Sequence, residues 1–277
     1  MQKTFEVAGP VDAEIHLAAG DVLVEAGAGG QVTVELDAHD EEAQRLVDAA
    51  RVELEGRRLV VDVPQRRGGL GRALAFARGG IDCRVSCPEG SSLAARTKSA
   101  DVTTHGTLAA ITVATASGDI RADRATGPVT VKSASGDAQV GEADGDVSVQ
   151  TASGDVELGA VRGMVTVHTA SGDLTVAEAY GDVDANTVSG DQHLAAVLQG
   201  RIAAHAVSGD VLIGVRRGSA AYLDCSSVSG DTTSDLDGLD GAPSDGRLVE
   251  IRAKTVSGDI RIVRAPAPAD DEGVQAA

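Results

Sequence analysis

"KSASGDAQVGEADGDVSVQTASGDVELGAVRGMVTVHTASGDL", residues 132–174, contains Ser-Ala-Ser-Gly-Asp or Thr-Ala-Ser-Gly-Asp three times, with successive aspartates 18 residues apart. With Asp137 as origin, apolar residues follow at Ala138, Val140 and Ala143, and the trio returns nine positions later at Val147, Val149 and Ala152. The next interval agrees: Val156, Leu158 and Val161, then Val165, Val167 and Ala170. Glycines keep the same step, at Gly136 and Gly145, then Gly154 and Gly163. Each half-repeat therefore reads as a corner, a short strand with alternate residues inward, and a small residue turning inward again. No helix fits between strands about four residues apart, which excludes a βαβ crossover. Two strands per coil, stacked on equivalent strands of neighbouring coils, make two facing parallel sheets. The fold class is all-β, a parallel β-solenoid, with right-handed winding expected from the crossover rule.

Working outward, Ser-Gly-Asp recurs with its aspartate at Asp119, Asp137, Asp155, Asp173, Asp191, Asp210, Asp231 and Asp259, and a worn copy, Ser-Ala-Asp, ends at Asp101. The steps are 18, 18, 18, 18, 18, 19, 21 and 28, so about nine coils occupy residues 97–264, regular first and decorated last. Stacking places the aspartates about 4.8 Å apart in a ladder. Neighbouring charges at that distance repel by about 0.9 kcal/mol in water before screening, so something local must outweigh the repulsion. Turn chemistry can do so. The carboxylate accepts backbone N–H groups at the corner, the glycine adopts dihedrals closed to other residues, and the serine hydroxyl can bond across coils. The competing reading is a cation ladder, because calcium-binding rolls also have two-by-nine coils, with the nonapeptide G-G-x-G-x-D-x-U-x. Here the paired glycines are missing. The second corner carries Pro128, Asp146, Met164, Asp182 and Arg201, which complete no regular cage.

Residues 1–96 follow a different pattern and read as a β-rich capping region, since an open solenoid end invites edge-to-edge aggregation. Residues 14–38 give two alternating strands around Gly-Ala-Gly-Gly, with Ala19, Gly20 and Asp21 a faint relative of the repeat. An acidic start and apolar residues at Ala43, Leu46, Val47 and Ala50 predict a short helix over 40–50. Residues 51–64 read as a hairpin turning near Gly56, and "IDCRVSCPEG" as a further strand. "QRRGGLGRALAFARGG", residues 65–80, is the one basic island, with four arginines and no acid. It reads as a loop, and Arg66, Arg67, Arg72, Phe76 and Arg78 are its candidate partner contacts. Its Gly-Gly-Leu-Gly-Arg lacks the Gly-Lys-Ser/Thr of a phosphate loop. Asp235, Asp237 and Asp240 resemble the opening of a calcium loop, but Gly246 stands where the closing glutamate belongs. Residues 265–277 have the composition of a disordered acidic tail.

The 277 residues carry 24 Lys and Arg against 42 Asp and Glu, a net charge of −18, which opposes nucleic acid and anionic lipid as partners. Aromatics are 1% of the chain, so the core must consist of small aliphatic groups. Cys83, Cys87 and Cys225 show no metal-ligand spacing and read as reduced, buried hydrophobes. No apolar run reaches signal-peptide or transmembrane length, which makes a cytoplasmic location the expectation. His168 and His205 share an outward column with Asn186 between them, about 10 Å apart and too far for a common metal. No nucleophile elbow or HExxH occurs, and the outward Thr112, Thr130 and Thr166 form no Thr-x-Thr ladder.

The "AGDV" strand, the acidic helix and hairpin, the "GGLGR…ARGG" insert before "IDCRVSCPEGS" and the serial "SASGD" coils resemble a bacterial candidate-adhesin family with β-strand repeats, common in actinobacteria. The resemblance reaches to about Arg264. It implies a β-solenoid of unknown function, with no catalytic residue to carry over. The expected function is a non-enzymatic interaction or assembly scaffold, with no cofactor and no metal. An unknown protein partner or self-association is expected. The alternatives are a surface adhesin exported by another route and a cation-binding or ligand-binding repeat protein.

Overall fold

The computed structural model describes residues 1–64, 80–236 and 247–266. It is a β-solenoid of stacked parallel strands with one short helix, and it divides into two compact units, Met1–Gly154 and Asp155–Ala277.

In the first unit, Asp12–Gly27 is a complete coil in one strand. It lies parallel to Ser92–Leu108, in a register that pairs Ala19 with Ser99, Gly20 with Ala100 and Asp21 with Asp101. The faint repeat at residues 19–21 is thus a coil in its own right. On its other side Asp12–Gly27 meets Arg58–Asp62 and Ile81–Pro88, also parallel. Antiparallel strands adjoin these two: Arg51–Glu55 pairs with Arg58–Asp62, and Gln31–Ala38 with Ile81–Pro88 and with Gln2–Glu6. The hairpin turn uses Gly56, whose φ of 61° favours glycine. Helix Glu41–Asp48 starts at Asp40, whose carboxylate accepts the Ala43 N–H at 2.6 Å, and it buries Ala43 and Val47. Beyond Ser92–Leu108 the strands shorten into half-repeats. Ala110–Ala114, Val129–Lys132 and Val147–Ser153 stack in one sheet, and Ile120–Ala125 and Ala138–Ala143 in the other.

In the second unit one sheet contains Val165–Ser171, Val183–Ser189 and Gly200–Ser208, and the other Val156–Val161, Leu174–Ala179, Gln192–Val197 and Val211–Val215. The next level does not follow chain order. Leu248–Ser257 stacks on Gly200–Ser208, and Ala220–Ser229, although earlier in the chain, stacks outside Leu248–Ser257. The second sheet repeats the exchange, with Ile260–Arg264 between Val211–Val215 and Thr232–Ser234. Apolar content accounts for this order. Leu248–Ser257 turns Val249, Ile251 and Ala253 inward, all fully buried, whereas Ala220–Ser229 offers Ala221, Leu223, Cys225 and Ser227, all half-buried. Each buried Val or Ile side chain contributes about 1.5–3 kcal/mol, so the more apolar strand takes the interior level.

One expected feature of the core is corrected. Ala152 and Ala170 face outward, and the inward positions belong to Thr151 and Thr169. Strand alternation simply continues from Val147 and Val149 to Thr151. The Thr151 hydroxyl donates to the Ser153 carbonyl at 2.9 Å, and Thr169 to that of Ser171 at 3.0 Å. The buried threonine hydroxyl finds its partner in the corner carbonyl, so a polar group is tolerated at the inward position.

Candidate functional site

The Ser-Gly-Asp corner is the most repeated polar structure of the chain. In the first unit, Asp101 Oδ1 accepts the Asp119 N–H at 2.9 Å, and Asp119 Oδ1 accepts that of Asp137 at 3.1 Å. In the second unit the carboxylates of Asp155, Asp173, Asp191 and Asp210 accept the N–H groups of Asp173, Asp191, Asp210 and Asp259, at 2.8, 2.8, 2.8 and 2.7 Å. Asp259 completes the series by accepting the Asp231 N–H at 2.8 Å, which follows the exchanged coil order. Each carboxylate therefore serves the aspartate of the next coil. Lone pairs directed at N–H groups offset part of the repulsion along the ladder.

Glycine is required at this corner for two reasons. Gly190 has φ 143°, and a Cβ there would lie 2.1 Å from the Gly172 carbonyl oxygen. Gly258 has φ 149° with the same approach to Gly209. Bare backbones thus stack directly on each other, which brings the aspartate N–H groups within reach of the carboxylates below.

Sequence reasoning missed the threonine beneath the corner. Besides Thr151 and Thr169, the hydroxyls of Thr187 and Thr255 reach the carbonyls of Gly190 and Gly209 at 3.3 Å. The signal was the first letter of Thr-Ala-Ser-Gly-Asp, at fixed offset and inward parity. The serine of the motif, by contrast, pairs through its backbone, as in the bridges from Ser117 to Ser135 and from Ser135 to Ser153.

The residue before each Ser-Gly-Asp serine is exposed. It is alanine at Ala116, Ala134 and Ala152 in the first unit. In the second it is Ala170, then Val188, Val207, Val256 and Val228 in stacking order. The second unit thus carries an apolar column parallel to an aspartate column along one edge.

In the first unit the aspartate column extends upstream, with Asp21 in register with Asp82 and Asp101. The Asp21 carboxyl is held above its ordinary range by partial burial and then by the charges of Asp82 and Asp101. His39 Nε2 lies 3.0 Å from Asp82 Oδ2, and this contact raises the histidine above its usual value. The second corner has an occasional counterpart, where Asp182 accepts the Arg201 N–H at 2.8 Å.

Other candidates do not converge on a site. His168, Asn186 and His205 occupy successive strands, as their spacing required. Arg216 binds Glu178 at 2.6 Å and Tyr180 donates to the same carboxylate at 2.6 Å, with Arg162 5.7 Å from the centre of the Tyr180 ring. Cys83 and Cys87 are buried and Cys225 half-buried, all as free thiols, and burial pushes Cys83 up to about 12. Among the described residues no group of three or more His, Cys, Asp or Glu side chains is placed to hold a metal ion. Among them, too, no helix is long and apolar enough to cross a membrane. Arg66, Arg67, Arg72, Phe76 and Arg78 lie outside the described residues, as do Asp237, Asp240 and Gly246 of the acidic loop.

No curated protein matches the chain. Among solved structures it is similar to a candidate adhesin of Bacteroides fragilis, at 11% identity and TM-score 0.49, over 95% of this chain and 96% of that one. A candidate lipid-binding protein of Parabacteroides distasonis shows 15% identity and TM-score 0.42, over 95% and 96%. A candidate adhesin of the same species shows 12% and 0.29, over 94% and 96%. The profile of a family of unknown function, Toastrack DUF4097, matches residues 12–263, nearly the whole coil region together with its antiparallel flank. The chain belongs to the Toastrack DUF4097 family.

Proposed function

We propose that the protein is a non-enzymatic interaction scaffold whose working surface is the Ser-Gly-Asp edge. The observation that carries this reading is the division of labour at the corner. Carboxylate Oδ1 atoms, glycines and threonine hydroxyls are spent on closing the coil, while the residue before each serine faces solvent at every level. A rigid backbone thus presents one side-chain position at a fixed step of about 4.8 Å, the kind of extended surface that repeat proteins use for binding. The aspartates are structural corner acceptors in this reading, and no cofactor or metal takes part. Affinity capture from native lysate tests it, comparing the wild type with a Val207→Lys, Val256→Lys variant and with Gln150→Asp on a sheet face. Captured proteins should be lost from the edge variant and kept by the other. Equal capture by all three would sink the proposal.

The proposed location is the cytoplasm, supported by three thiols that remain unpaired. Cell fractionation checks it. Recovery of the protein at the outer surface would replace this reading with the adhesin one.

A further inference from the structure

We propose that the apolar and acidic edge of the second unit is the docking surface for residues 65–79 of a second copy of this chain. This rests on the scaffold reading and names its partner.

The surface has two components. Val188, Val207, Val256 and Val228 are 54, 50, 51 and 82% exposed and stand on four successive strands. The corner does not require valine, because alanine fills the equivalent position at Ala116, Ala134 and Ala152 over the same motif. Branched side chains held in solvent at four consecutive levels form a continuous apolar strip, which marks a contact surface. The second component is acidic. Among the described residues Asp191, Asp210, Asp259 and Asp231 have no ion-pair partner, whereas Asp119 in the first unit pairs with Arg121 at 3.2 Å. Of the cations of the second unit, Arg201 is engaged with Glu250 and Arg252 with Asp224 and Glu250, and Arg261, at the offset from Asp259 that Arg121 has from Asp119, forms no ion pair with it. The strip therefore calls for a segment that is cationic and apolar together.

The sequence contains one such segment. Residues 65–79, QRRGGLGRALAFARG, hold four arginines, no acid, and Leu70, Leu74 and Phe76, and no other stretch of that length in this chain of net charge −18 has four cations without an acid. Four arginines match four aspartates that have no ion pair among the described residues, and three large apolar side chains suit the valine strip. The segment joins Arg58–Asp62 to Ile81–Pro88 in the first unit, while the strip belongs to the second. Each copy thus carries both halves of the contact, the segment in the sequence of the first unit and the strip in the second. The contact between copies is heterologous and propagates.

Sedimentation velocity of the full chain tests this across concentration and salt, with two variants. One replaces Val207 and Val256 by serine, and the other replaces Arg66, Arg67, Arg72 and Arg78 by glutamine. Unchanged melting of both variants would confirm that neither set disturbs the fold. The wild type should form concentration-dependent assemblies whose dissociation constant rises about tenfold or more from low to physiological salt. Each variant alone should be monomeric. Their equimolar mixture should form a dimer and stop there, because the valine variant donates an intact segment and the arginine variant an intact strip. A wild type that stays monomeric, assembly that survives either variant, or a mixture that fails to dimerise would each overturn the proposal. Lysate capture that persists in a monomeric wild type would overturn self-docking and leave the scaffold reading standing.

Discussion

Asp173 accepts one backbone N–H, that of Asp191, and carries one charge in a column of like charges. These two properties separate in mutants. Asp173→Asn keeps an acceptor oxygen and removes a charge, so its melting temperature should stay near that of the wild type, slightly higher at low salt. Asp173→Ala leaves the Asp191 N–H unpaired and should cost about 1–2 kcal/mol. Chelator should change none of the three melting curves. A wild type that melts much lower after chelation, with both variants insensitive, would establish the cation ladder instead. Thr169 gives a second test. Thr169→Val has nearly the same shape but removes the donor to Ser171, and should cost about 1–2 kcal/mol, whereas Ala170→Ser on the exposed neighbour should be silent. Equal shifts would reverse the inward assignment. At this scale the aspartate and glycine were legible because they recur as letters. The threonine was not, because a buried hydroxyl is polar in composition and inward in parity, and counting apolar residues passed over it in favour of Ala152 and Ala170.

Among the elements, the strands and the helix could be read directly from alternation and capping, as Asp12–Gly27 and Glu41–Asp48 show. Their partners could not. Gln31–Ala38 follows Asp12–Gly27 after a short glycine-rich link yet pairs with Gln2–Glu6 and Ile81–Pro88, because pairing is set by which faces are apolar in three dimensions. That arrangement places Asp82 of one strand against Asp21 of another and brings His39 to Asp82. The pH response follows from the direction of each shift. His39 is raised above its ordinary 6.5, so its contribution is complete below that value and is lost as pH rises through the raised one. Asp21 is raised above 3.8, so its protonated form favours the fold below that pH and its ionised form opposes folding at neutrality. Asp21→Asn should therefore raise the melting temperature near neutral pH, with the gain vanishing in acid. His39→Gln should lower it at about pH 6, with the difference closing in mild alkali. Parallel pH profiles for variants and wild type would show that the cluster plays no part in stability.

Across the whole molecule, the period of 18 announces stacked coils but not the order in which they stack. Every Ser-Gly-Asp corner offers the same N–H and the same carboxylate to its neighbours, so the corners of residues 229–231 and 257–259 are interchangeable by local chemistry. The lengthening steps, 19, 21 and 28, were visible and marked where the array changes. The choice between the two orders rests on the inward residues, and their burial can be tested. Ile251 is fully buried in a strand with neighbours on both sides, Gly200–Ser208 and Ala220–Ser229. Leu223 is half-buried in Ala220–Ser229. Ile251→Ala should cost about 2–5 kcal/mol, as core truncations do. Leu223→Ala should cost about 1 kcal/mol, since a half-exposed side chain loses less burial and leaves a site open to water. Were the coils stacked in chain order, Leu223 would stand at the interior level and Ile251 at the outer one, and the ranking would reverse. Chemical denaturation of the two variants measures that ranking, and the larger loss should fall on the residue that comes later in the chain.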